Sequence, residues 1–141
     1  MPALTHQYRT LFADLRLYPL TFLPDASYPS ICAFIEGIDV GNQGGVLDGF
    51  QEWLTIRFDG LSNIAWPGQV LRSVVPEAEN VRLSDLTAEQ DEHATAMLFD
   101  LLDAFMGEVE GDYSRQRLWF EWAEWLRSRS WFDPEVHFRR G

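Results

Sequence analysis

The chain has 141 residues, with 22 acidic against 11 basic side chains for a formal net charge of -11, and 46% of it is hydrophobic. That length suits one domain, and the apolar fraction excludes wholesale disorder, because a chain this long buries roughly two-thirds of its unfolded surface without metals or disulfides. A lone cysteine, Cys32, excludes an internal disulfide, and the absence of a leader-like start or a bilayer-length apolar run sets the expectation of a soluble, cytoplasmic, single helical domain over residues 1–141.

Thr5 to Leu17 reads as a first helix, with Tyr8, Leu11, Phe12 and Leu15 at helical spacing. Pro19 and Pro24 interrupt that pattern, so residues 18–28 read as an apolar-rich loop. Ser27 is placed to cap a second helix with Pro29 inside its first turn and Ile31, Phe34, Ile35 and Ile38 on one face. The run Gly41-Asn42-Gln43-Gly44-Gly45 ends it. A third helix over Leu47 to Phe58 buries Phe50, Trp53 and Leu54, with Phe58 as a further candidate, and stops at Asp59-Gly60. Within Asn63 to Val75, the spacing of Val70, Leu71, Val74 and Val75 suits a short helix better than a strand, against the strand preference of the β-branched residues.

Thr87-Ala88-Glu89-Gln90 has the form of a capping box and opens the longest helix, which runs to Val109 and ends at Gly111. Its apolar side carries Ala94, Met97, Leu98, Leu101, Leu102, Phe105 and Val109, while Glu89, Glu92, Asp100, Asp103, Glu110 and the small Gly107 fall opposite. A last helix starts at Asp112 or Ser114 and reaches Arg129, with Leu118, Trp119, Trp122, Trp125 and Leu126 inward and Phe120 outward. Arg117 with Glu121 and Glu124 with Arg127 are surface pairs worth about 0.2–0.5 kcal/mol each. The aromatic tail Trp131-Phe132-Asp133-Pro134 is expected to pack back. Six helix candidates, no alternating strand and no repeat predict an all-α, single compact domain of about five to six helices.

Charge is unevenly placed: 7 acidic and 4 basic residues over 1–76, 11 and 1 over 77–112, and 4 and 6 over 113–141. The middle segment repels phosphate backbones, which argues against nucleic-acid binding, and it speeds encounter with a cationic protein. Every basic residue is arginine, a bias for which genome base composition is sufficient explanation.

Catalytic signals are sparse. Glu89 and His93 share a helix face, but two groups fall short of the three or four ligands of a zinc site, and His6 and His137 are distant in sequence. Cys32 sits among Ile31, Phe34 and Ile35, where a small buried hydrophobe is the default. The glycine-rich run at 41–45 lacks the lysine and Ser/Thr of a nucleotide-phosphate loop and follows a helix, so it reads as a helix end. No cofactor is expected and no metal. Trp66 before Pro67, and Phe120, are the aromatics least explained by packing and serve as candidate anchors for a partner.

The words Phe34-Ile35-Glu36-Gly37, Asp48-Gly49-Phe50-Gln51-Glu52-Trp53-Leu54, Arg57-Phe58 and Leu98-Phe99-Asp100-Leu101-Leu102-Asp103-Ala104-Phe105 resemble a group of small acidic bacterial proteins over roughly Tyr28 to Glu110. Some of that group resemble immunity proteins encoded beside secreted polymorphic toxins. Leu17-Tyr18-Pro19-Leu20-Thr21-Phe22 stands where the group carries an Arg-Pro-x-Met-Tyr turn. The resemblance implies a non-enzymatic binder, and with the charge partition it sets the expectation of a cytoplasmic, immunity-type inhibitor that occludes a basic bacterial toxin. In that reading Glu89, Glu92, Asp100, Asp103 and Glu110 face the toxin's cleft, and Trp66 or Phe120 anchors it. Two other readings remain open: a homodimer or other self-associating protein using the aromatic last helix, and a small enzyme using His93.

Overall fold

The computed structural model describes residues 2–60, 62–76, 81–110, 115–133 and 135, without the side chains of residues 2–4. Seven α-helices follow in order: α1 (Pro2–Leu17), α2 (Pro19–Phe22), α3 (Tyr28–Gly41), α4 (Phe50–Phe58), α5 (Trp66–Val74), α6 (Ala88–Glu110) and α7 (Arg115–Arg127), with a 3₁₀ turn at Leu83–Asp85. The described residues form an all-α domain without strands. No described helix is long and apolar enough to cross a membrane.

Local chemistry sets most boundaries. Ser27 accepts a hydrogen bond from the Ser30 amide, and Pro29 occupies the first turn of α3, where a missing N–H costs nothing. Thr87 and Gln90 form the reciprocal capping box, amide to side chain in both directions at 3.0 and 3.1 Å. Asp59 turns left-handed (φ 48°) and the Gly60 amide reaches back 3.1 Å to the Thr55 carbonyl, closing α4. The start of the last helix, and Gly111, fall outside the described residues. The 18–28 segment is not wholly loop: Pro19, with φ preset for a first helical position, starts the one-turn α2.

Helix α6 is the spine, with α1, α3, α4 and α5 packed on it. Ala94, Leu98, Leu101, Leu102 and Phe105 are buried as their spacing predicts, but so are Phe99 and Met106, because α1 covers a second side. Phe50, Trp53, Trp66 and Phe105 form an aromatic centre, with Phe50 5.2 Å from Phe105 and 5.8 Å from Trp66 between ring centroids. These tilted ring contacts add to area burial. Helix α7 is strapped along α4. At one end the Arg115 guanidinium donates to the carbonyls of Gly45, Val46 and Asp48, and Leu118 lies where a Cβ on Gly49 would stand. At the other, Trp125 Nε1 donates to Asp59 at 3.0 Å and Arg129 pairs with the same carboxylate. Phe58 is 40% exposed, so it is not part of the buried core.

Candidate functional site

The expected continuous acidic face of α6 divides in two. Where α1 crosses its C-terminal half, Arg9 donates to Asp103 Oδ1 at 2.7 Å and to Glu110 Oε2 at 2.9 Å, and Arg16 donates to Asp100 Oδ1 at 2.8 Å. His6 Nδ1 stands 3.4 Å from Glu110. The Arg9 guanidinium lies over Gly107, 3.1 Å from the place a Cβ would take. The Arg9 hydrogen bond holds the Asp103 carboxyl below its ordinary range, and Asp103 and then Glu110 hold the guanidinium above its own. Asp100 and Asp103 remain 65% exposed at their side chains, so each pair contributes at most about 1 kcal/mol. These carboxylates are therefore engaged within the fold, which corrects the picture of a free outer stripe.

Further acids of the same helix turn inward: Asp91 accepts the Tyr28 amide at 2.9 Å, and Glu108 accepts from Trp53 Nε1. Glu89 and Glu92 differ. Both are exposed on the first turns of α6, and neither has an ion pair among the described residues.

Beside Glu92 a groove of about 310 Å³ opens between the end of α1, the α2 corner and α6, lined by Leu15, Pro19, Ile31, Ala96 and Phe99. The Thr95 hydroxyl borders it, buried and without a hydrogen-bond partner. Leu17, Tyr18 and Leu20, flanking Pro19 in the chain, are 64–68% exposed. Sequence reasoning passed over this corner; its signal was a proline at a helix start set among four large apolar residues.

The aromatic candidates also separate. Trp66 is 5% exposed, packed at a tilt against Phe50, and its Nε1 donates to Glu36 at 2.7 Å, so it is a core residue and not an accessible anchor. Phe120 is exposed, as its position on the wheel predicts. Trp119, expected inward, is 40% exposed at the edge of the buried stripe, while Trp122 is half-buried and stacks on Trp125 at 5.2 Å. Trp131 does fold back, edge-on to Trp125 at 6.3 Å; Pro134 lies outside the described residues.

Polar chemistry is thin. His93 and Glu89 are both exposed, with no hydrogen bond between them among the described residues. Among those residues no three His, Cys, Asp or Glu side chains gather as metal ligands. Burial pushes the Cys32 thiol up to about 12, which keeps it protonated at neutral pH. The glycine-rich turn is tied down by its own helix: Asp39 Oδ1 accepts the amides of Val46 and Leu47 at 3.1 and 2.7 Å, so those donors do not face an outside anion. No family model, no curated protein and no solved structure matches this chain.

Proposed function

We propose that the chain works by binding, as an immunity-type inhibitor that covers a basic bacterial toxin in the cytoplasm. The observation that carries this reading is the pair Glu89 and Glu92, exposed and without an ion pair among the described residues, with Glu92 on the rim of an apolar groove, in a chain of net charge -11. Carboxylates of this kind raise the rate of encounter with a cationic cleft, and apolar contacts supply the affinity. The resemblance over Tyr28 to Glu110 points the same way. The test is association with the protein captured from the native host. Glu89→Arg with Glu92→Arg should slow association about tenfold at low salt, with the difference shrinking as ionic strength screens it. Unchanged kinetics would remove the electrostatic basis of the reading.

Asp100 and Asp103 are poor reversal sites for this purpose, because arginine there would first break the contacts of α1. A second reading is favoured by Trp119, Phe120 and Trp131, which leave α7 and the turn after it with exposed aromatics. It assigns that surface to self-association, and sedimentation over a range of concentrations separates the two.

A further inference from the structure

The way α6 receives the chain's own guanidiniums is a template for how it receives a foreign one. At Gly107 a small residue leaves a gap in the helix surface, carboxylates stand on either side at Asp103 and Glu110, and Arg9 fills the gap. Ala96 repeats the pattern one helix half earlier, between Glu92 and Asp100, on the same side of the wheel as Gly107. There Arg16 takes Asp100 alone, and its guanidinium lies 5.8 Å from the Phe99 ring centroid, leaving Glu92 and, one turn earlier, Glu89 without a cation among the described residues. Beside Glu92 the groove offers Leu15, Pro19, Ile31 and Phe99, with Arg16, already paired to Asp100, on its wall.

Resting on the binding reading above, we infer that this groove is the docking surface for an amphipathic helical segment of a partner protein, carrying arginine beside aliphatic side chains. An aliphatic side chain enters beside Ala96, and arginines of the same segment pair with Glu92 and Glu89. From Glu89 to Asp100 the helix spans about 16 Å, room for roughly three turns of a partner helix lying along it. The charge of the rim selects a cationic segment, and the apolar floor selects one with an aliphatic face, the usual mode of helix recognition in a groove.

The probe is a synthetic helical peptide with leucines on one face and arginines on the other. A companion peptide keeps the arginines and replaces the leucines by serine and asparagine. Ala96→Trp fills the groove at an exposed position and leaves every charge in place, whereas Glu89→Arg with Glu92→Arg reverses the rim and leaves the groove open. Binding of the leucine peptide should fall about tenfold or more in each variant, and only the charge reversal should flatten its salt dependence. The companion peptide should bind about tenfold more weakly than the leucine peptide. If Ala96→Trp binds as the wild type does, or the two peptides bind alike, the groove assignment is overturned while the charge reading stands. If the charge reversal changes nothing, the binding reading itself falls. Ala96→Gln is the alternative should Ala96→Trp lower the thermal midpoint. Wild-type chain that self-associates, and loses this on filling the groove, would identify a second copy as the occupant and overturn the assignment to a separate partner.

Discussion

At the C-terminal half of α6 the carboxylates of Asp100, Asp103 and Glu110 are met by arginines of α1, whereas at the N-terminal half Glu89 and Glu92 are exposed and have no ion pair among the described residues. The two halves carry the same residue types at the same helical spacing, so composition does not distinguish them. What distinguishes them is the path of α1, which supplies Arg9 and Arg16 to one half and ends before the other. An acidic stripe on a helical wheel is therefore two surfaces: one that fastens helices and one left exposed.

Mutations can break or sharpen this contrast. The largest effect is expected beneath the fastened half, where Phe105, fully buried against Phe50 and Trp53, should cost about 3–5 kcal/mol when cut to alanine, read by denaturant unfolding. Arg9→Ala, which leaves Asp103 and Glu110 facing each other without their shared cation, should cost about 1–2 kcal/mol. Glu89→Ala with Glu92→Ala should stay within about 0.5 kcal/mol, and a loss equal to that of Arg9→Ala would erase the distinction between the halves.

Between the halves, Thr95→Val removes a buried hydroxyl that has no partner while keeping the side chain's shape. Stability should rise by about 1 kcal/mol, visible as a higher thermal midpoint. The smallest effect is in acid. Asp103 titrates lower in the folded chain than its unfolded value near 3.9, so its contribution is present above that value and lost as pH falls through the folded one. Asp103→Asn should reduce the fall in thermal midpoint below about pH 4.

Elements governed by near neighbours in sequence were readable before the structure. Ser27 with Pro29, Thr87 with Gln90, and Asp59-Gly60 carry their own hydrogen-bonding instructions, and each stands at the boundary its chemistry predicts. Features that depend on distant residues were not readable. Trp66 looks exposed beside Pro67 because nothing nearby announces Phe50 as its packing partner or Glu36 as its acceptor. Phe99 and Met106 lie off the main apolar stripe of α6 and are buried only because α1 lands on them. The same landing consumed part of the candidate acidic site, and the turn at Pro19 that shapes the groove was hidden because its apolar residues follow no helical period long enough to register.

Cys32 gives the molecule a built-in reporter. Its thiol, the chain's sole one, is 5% exposed among the residues of α3 and shielded from ionising. A water-soluble disulfide reagent reaches it only during excursions that expose that side of α3. When reclosing is faster than the reagent, the modification rate measures the fraction of molecules open at any instant, a gauge of conformational opening that needs no engineered label.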